Sequence, residues 1–261
     1  MIHTFYKYQG TGNDFIMVDN RTLDFPKNNT KLISLLCHRK FGIGADGLIL
    51  LENDTDTHFR MVYYNSDGNE SSMCGNGGRC TVAFARFLGI IEKEAKFIAP
   101  DGLHYAVIDD SGTVSLQMKD VAEVKVFQNH VFLDTGSPHH IAIINDIDSV
   151  DVKSEGKAIR YSDLYGERGA NVNFVMPLVT DKFSVRTYER GVEDETLSCG
   201  TGVTAVAIAM NFLGKTNSEN IKLQTPGGLL EVSFNKDSDG GYKNVWLKGP
   251  ATFVFKGEMQ W

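Results

Sequence analysis

The feature that most constrains this chain is a second copy of itself. The run beginning at Cys74, CGNGGRCTVAFARFLG, lies over CGTGVTAVAIAMNFLG beginning at Cys199, an offset of 125 positions that holds without a gap to Gly89 and Gly214. Tyr63 falls on Tyr188 and Gly44-Ala45 on Gly169-Ala170 at the same offset. Thr11-Gly12 falls on Thr135-Gly136 at 124, and Pro100 and Gly102 fall on Pro226 and Gly228 at 126. Landmarks kept in one order with a drift of one residue either way mark a duplicated unit rather than two chance glycine turns. Two homologous halves are therefore expected, 1–116 completed by the C-terminal segment 249–261, and 117–248. A pseudo-two-fold pair is the natural arrangement, with the two repeated loops meeting in a cleft between the halves.

Within each half the repeated loop opens a stretch patterned as a helix, Thr81–Leu88 and Val203–Leu213, each stopped by a Leu-Gly pair at 88–89 and 213–214. Short runs rich in β-branched and aromatic residues predict strands at 59–64, 105–108, 114–118, 173–178, 183–188 and 229–234. Asp109-Asp110-Ser111-Gly112 and Asp237-Ser238-Asp239-Gly240 read as hairpin turns. One helix among many strands predicts an α+β fold, each half a curled, mostly antiparallel sheet or barrel around a central helix.

Composition narrows the function class. With 42% hydrophobic and 23% charged residues among 261, the chain can build an ordinary core. A net charge of -7 with scattered Lys and Arg argues against nucleic acid as a partner. No run of about 18 apolar residues predicts a membrane helix, and the opening MIHTFYKYQGTGNDF lacks the basic-then-apolar pattern of a secretory signal. The four cysteines (37, 74, 80 and 199) are too few and too dispersed for a disulfide framework. A reducing cytoplasmic setting is expected, with a small molecule as the partner; a homodimer is compatible with this reading.

Two of those cysteines stand directly before the repeated glycines. The first backbone N–H groups of a helix lack partners and carry the positive end of its dipole, and glycines let a ligand approach them closely. Such a turn suits a carboxylate or phosphate. A cysteine there has its thiolate stabilised, drawing the thiol pKa down from about 8.5. Two such turns related by symmetry suit inversion at a carbon with one acidic hydrogen: one thiolate removes the proton from one face and a thiol returns one to the other. This chemistry requires no cofactor and no metal. A zinc site would need closer Cys or His pairs than Cys74-x5-Cys80. A redox pair would need C-x-x-C, although oxidation could join Cys74 to Cys199. Gly214-Lys215-Thr216 resembles the end of a phosphate loop, but Ala209 stands where its first glycine belongs. Cys37 and Cys80 read as small buried hydrophobes.

The chain resembles the diaminopimelate epimerase family. The resemblance rests on Gly10-Thr11-Gly12-Asn13-Asp14-Phe15, Asn65-Ser66-Asp67-Gly68 leading to Met73-Cys74-Gly75-Asn76-Gly77, Thr135-Gly136-Ser137-Pro138-His139, and Glu189-Arg190-Gly191 leading to Cys199-Gly200-Thr201-Gly202. It implies interconversion of LL- and meso-2,6-diaminopimelate, on the route to lysine and cell-wall peptide. It also implies Cys74 and Cys199 as the acid/base pair, and Gly75-Asn76 and Gly200-Thr201 as backbone donors to the reacting carboxylate. Asn13 would orient the reacting end and Arg190 would hold the distal carboxylate, with Glu189, Asn65 and Asn171 positioning the distal group. Some members carry Gln at the site of Gly47 and members commonly carry Asn at the site of Ser137; both positions, with His139, are implied to border the pocket. Two alternatives remain at this stage: a two-cysteine racemase of another amino acid (histidine or hydroxyproline), and a binding protein without catalysis. A charged distal clamp argues against the first, and two matched thiols against the second.

Overall fold

The computed structural model describes residues 2–261. It divides into two compact units, Met1–Leu116 with Gly249–Trp261, and Gln117–Lys248.

The first unit begins with strands β1 (Ile2–Gly10) and β2 (Asn13–Asp19), then helix α1 (Thr30–Cys37), β3 (Gly47–Glu52) and β4 (Phe59–Asn65). Helix α2 (Gly75–Phe87) follows, with β5 (Glu94–Ala99), β6 (Gly102–Ile108) and β7 (Thr113–Gln117). The second unit holds β8 (Lys125–Val126), β9 (Val131–Asp134), β10 (Pro138–Ile143), α3 (Val152–Arg160), β11 (Asn171–Val179) and β12 (Lys182–Glu189). It continues with β13 (Asp194–Thr196), α4 (Gly200–Phe212), β14 (Asn220–Thr225), β15 (Gly228–Lys236) and β16 (Tyr242–Pro250), whose last two residues belong to the first unit. The last strand, β17 (Thr252–Gln260), returns to the first unit and pairs antiparallel with β1.

Strand pairing repeats between the units. In the first, the order is β17-β1-β2-β3-β4-β5-β6-β7, antiparallel except for the parallel pairs β2–β3 and β4–β5. In the second it is β8-β9-β10-β11-β12-β14-β15-β16, antiparallel except for β10–β11 and β12–β14. Each parallel pair is bridged by a helix, as a parallel connection requires: α1 and α2 in one unit, α3 and α4 in the other.

One helix of each unit lies in the hollow of its sheet. α4 is apolar on every side, and Val203 and Ala205–Met210 are all buried in one cluster with Val175, Val185, Leu223, Val232 and Leu247. A helix hydrophobic all round can sit only inside a core. β3 of the first unit is buried along its whole length because both of its faces are covered. Leu48 and Leu50 pack with Ile33 and Leu36 of α1, while Ile49 lies beside Gly77 of α2.

The signature helices begin earlier than the sequence suggests. Glycines at 75, 77 and 78 are poor helix formers, yet they form the first turn of α2, with the Gly78 N–H donating to the Cys74 carbonyl at 2.8 Å. In α4 the Val203 N–H donates to the Cys199 carbonyl at 3.0 Å. Both helices end at the expected stops. Gly89 and Gly214 take left-handed φ of 72° and 66°, and the next residues, Ile90 and Lys215, donate back to Ala85 and Met210. This termination favours glycine. The hairpin turns also form, Asp109 Oδ1 accepting from the Ser111 and Thr113 N–H groups.

The outer helices α1 and α3 are additions to the one-helix expectation. α1 has only eight residues and is capped by Asn29, whose side chain accepts from Leu32 N–H. α3 is capped by Asp151 and contains Gly156, where a Cβ would stand 2.4 Å from that of Tyr188. A glycine that reads as a helix breaker is here the condition for the helix to approach β12.

Candidate active site

Each inner helix starts at a cysteine. Cys74 is the N-cap of α2 in an extended conformation (φ −110°, ψ 124°), and Cys199 is the N-cap of α4 in the same one (φ −119°, ψ 112°). All four cysteines are thiols rather than disulfides.

In the first unit, the Cys74 thiol donates to Asn13 Oδ1 at 3.5 Å. Asn76 Nδ2 donates to the same oxygen at 3.3 Å, and Asn13 Nδ2 donates to Asp46 Oδ2 at 2.7 Å. The Arg79 guanidinium lies behind the turn, wholly buried. It donates to Asn76 Oδ1 at 3.0 Å, to the Gly75 carbonyl and Thr11 Oγ1 at 3.3 Å, and to the Pro250 carbonyl at 3.4 Å. Burial pulls its pKa down, partly offset by the neighbouring Cys80 and Cys74 sulfurs, but a guanidinium starts high enough to keep its proton. Asp46 also binds Arg39 at 2.7 Å, and Arg39 grips Asp14 with both terminal nitrogens at 3.1 and 2.7 Å. Burial raises the Asp14 pKa, yet hydrogen bonds from Arg39 and Lys7 outweigh it and hold the carboxyl down at about 2. Cys80 is fully buried and its thiol is pushed up to about 12 by desolvation; Cys37 is likewise raised to about 12.

Gly47 opens β3, and a Cβ there would stand 2.6 Å from Cε2 of Tyr63 and 2.6 Å from the Tyr64 carbonyl. The tyrosine ring occupies the space a longer side chain would need, so glycine at 47 and Tyr63 form a matched pair. Asn65 lies exposed at the end of β4, where its carbonyl accepts from Gly68 N–H in a tight turn.

In the second unit, Cys199 Sγ lies 3.5 Å from Thr201 Oγ1. The Thr201 carbonyl accepts from Thr135 Oγ1 at 3.0 Å and the Gly200 carbonyl from Thr204 Oγ1 at 2.9 Å. A Cβ at Gly202 would stand 2.5 Å from Asn173 Oδ1, so that position admits glycine only. Asn173 Nδ2 donates to His139 Nδ1 and to the His140 carbonyl, both at 3.1 Å, while its oxygen accepts from Thr187 at 3.0 Å. His139 is fully buried. Desolvation, with the Arg190 charge, drops its pKa to about 3, so its imidazole is neutral. Asn171 Nδ2 donates to Ser137 Oγ at 2.8 Å and to the Pro138 carbonyl at 3.2 Å, while its oxygen accepts the Arg190 N–H at 2.9 Å. Glu189 ends β12 and Arg190 follows it in the turn, both half-buried, and Arg190 Nη1 donates to the Arg168 carbonyl at 3.0 Å.

Of the residues read from sequence, hydrogen bonds join Asn13 to Cys74 and Asn76 in the first unit; in the second they join Ser137, Asn171 and Arg190 to one another, while Thr201 Oγ1 lies against Cys199. Arg79, Asp46 and Asn173, which these networks bring in, carry no signal in the sequence. Arg79 stands in plain view inside CGNGGRC, but its burial beneath the turn has no sequence signature. Among the described residues no group of three or more His, Cys, Asp or Glu could hold a metal ion, and no helix is long and apolar enough to cross a membrane.

Comparison with known proteins locates this arrangement. The family model "Diaminopimelate epimerase" matches residues 5–124 and 131–254, one stretch on each copy of the repeat. The chain is 64% identical over 251 residues to a diaminopimelate epimerase of Flavobacterium psychrophilum, covering 96% of this chain and 98% of that protein. It is 42% identical over 259 residues to one of Chlorobaculum tepidum, again covering 96% and 98%. Among solved structures the fold is shared with a Bacillus anthracis phenazine biosynthesis protein of the PhzF family, at a TM-score of 0.80 with 14% identity and full coverage of both chains. It is also shared with a hydroxyproline epimerase from Agrobacterium vitis, at a TM-score of 0.70 with 12% identity, covering 99% of this chain and 92% of that one. On the first two of these relatives and the family match, the chain belongs to the diaminopimelate epimerase family.

Proposed function

We propose that this protein is an isomerase that interconverts LL- and meso-2,6-diaminopimelate by a two-base mechanism, supplying lysine and cell-wall precursors in a reducing cytoplasm. The observation that carries the mechanism is the pair of cysteines, each capping a glycine-rich helix start in a unit of matching topology.

The reaction must break a Cα–H bond whose electrons then spread onto the adjacent carboxylate. The backbone N–H groups at the helix starts, Gly75-Asn76 and Gly200-Thr201, are suited to hold that carboxylate and to stabilise the growing negative charge. One thiolate takes the Cα proton and becomes a thiol; the other thiol gives its proton to the opposite face and becomes a thiolate. Atoms and charge balance without a cofactor, and the reverse reaction exchanges the two roles. Asn13 orients the reacting end. Arg190 offers a guanidinium to the distal carboxylate, with its backbone held by Asn171; Glu189 and Asn65 complete the distal recognition. Ser137, Gly47 and His139 shape the surroundings, His139 as a neutral buried ring bonded to Asn173.

The test is Cα hydrogen exchange. Incubated with LL-diaminopimelate in D2O and a thiol reductant, the enzyme should incorporate deuterium at one Cα and form the meso isomer. Exchange with histidine or hydroxyproline in place of diaminopimelate would redirect the substrate assignment, and no exchange with any amino acid would end the enzyme reading.

A further inference from the structure

A charge buried without a countercharge calls for an explanation, since desolvating a guanidinium is expensive. Arg79 is such a charge: among the described residues no carboxylate pairs with it, and the four oxygens it binds are all neutral. The oxygen of Asn76 begins a chain of three hydrogen bonds that ends on a carboxylate, running Arg79 to Asn76 to Asn13 to Asp46. Amide oxygen and nitrogen can exchange places by a flip, so their placement needs a cause. Both ends of this chain supply one. Arg can only donate, so Asn76 must turn its oxygen to Arg79 and its N–H to Asn13. The Asp46 carboxylate can only accept, so Asn13 must turn its N–H to Asp46 and its oxygen back toward Asn76 and Cys74. The two constraints agree at Asn13 Oδ1, the atom that also accepts from the Cys74 thiol.

We infer that Arg79 and Asp46 are positioning residues that act through this amide chain to keep the Asn13 oxygen, rather than its N–H, facing Cys74 and the reacting end of the substrate. The inference rests on the epimerase reading above. A flipped Asn13 would point N–H groups at the α-ammonium of an amino acid and repel it. The other unit has no such device. The residues 125 positions on from Arg79, Asn76 and Asp46 are Thr204, Thr201 and Asn171, all neutral, and Ser137, 124 positions on from Asn13, has a hydroxyl that accepts from Asn171 and no amide that could flip. The outer end is braced in turn: Asp46 is itself held by Arg39.

A double-mutant series tests this through kcat. Asn13→Ala should lower kcat strongly, Arg79→Met about tenfold and Asp46→Ala about fivefold, whereas either of the latter two added to Asn13→Ala should cost less than about twofold more. Arg79→Lys, which still donates to Asn76, should recover most of the Arg79→Met loss. Should Arg79→Met fail to fold, Asp46→Ala at the 44% exposed end carries the test alone. Losses that multiply in full with Asn13→Ala, or kcat unchanged in both single variants, would overturn the inference. A readout free of turnover separates it from the epimerase reading: in protein labelled with 15N-asparagine, the Asn13 side-chain amide should show the shifted, exchange-protected resonances of a charge-assisted bond and lose them in Asp46→Ala. If the chain's wild-type form exchanges no Cα hydrogen while these resonances behave as described, the reading fails and the amide chain stands.

Discussion

Beneath the first turn of α2 the Gly75 carbonyl is met by a guanidinium; beneath the first turn of α4 the Gly200 carbonyl, 125 positions on, is met by the hydroxyl of Thr204. The same contrast runs through both sites. Asn13 bonds to a carboxylate at 2.7 Å where Ser137 bonds to an amide at 2.8 Å. The first site is tied to an ion cluster of Lys7, Asp14, Arg39 and Asp46; the second rests on a neutral network of Asn173, His139 and Thr187. Duplication thus preserved what the backbone does, capping a glycine-rich helix start with cysteine, while the supporting side chains diverged.

The comparison can be broken most sharply at the cysteines themselves. If the two are true counterparts, Cys74→Ala and Cys199→Ala should each lower kcat by at least about 10³-fold; a variant retaining near wild-type turnover would show that the backbone likeness carries no shared chemistry. Acid should next separate the units. His139 and His140 fold with pKa values depressed to about 3 and 4 by burial, so the unfolded chain binds protons first. Their contribution is intact above the unfolded value of about 6.5 and falls as pH drops from there toward 4, by ~3 kcal/mol for each histidine. Asp14, lowered to about 2, loses its contribution only as pH falls from about 4 to 2. Hydrogen-exchange protection followed from pH 7 to 4 should therefore fade in 117–248 before 2–116, and the reverse order would refute the contrast. A smaller effect is expected from alanine at the matched glycines. Gly202→Ala drives a Cβ to 2.5 Å from Asn173 Oδ1 and should cost ~2–3 kcal/mol of stability; Gly77→Ala meets the mobile end of Ile49 at 3.0 Å and should cost ~1 kcal/mol. Thermal or urea melts of the two variants decide it.

Much of this was legible in the sequence because duplication shows twice what one copy shows faintly. The cysteine turns, the Leu-Gly helix stops and the hairpin turns are local features, and local features survive in a linear pattern. What the sequence hid has two causes. α1 and α3 are short and gain their stability from packing, as with Gly156 under Tyr188, so propensity alone does not reveal them. The amide chain joins residues 13, 46, 76 and 79, and nothing in composition or spacing says that an arginine one turn into a glycine-rich helix will be buried. That requires the fold, which closes the sheet over α2 and brings the Pro250 carbonyl to Arg79.

The return of β17 to β1 has a consequence for how the protein is made. The unit formed by 117–248 is contiguous in the chain and needs no segment from elsewhere in it. The unit around Cys74 lacks an edge strand and one Arg79 acceptor until residues 250–260 emerge, although its first residues are made earliest. Domains usually fold in the order of their synthesis; here the earlier half is completed only by the last segment. A chain truncated before residue 249 would therefore keep every segment of the unit around Cys199, and lack both β17 and the Pro250 carbonyl from the unit around Cys74.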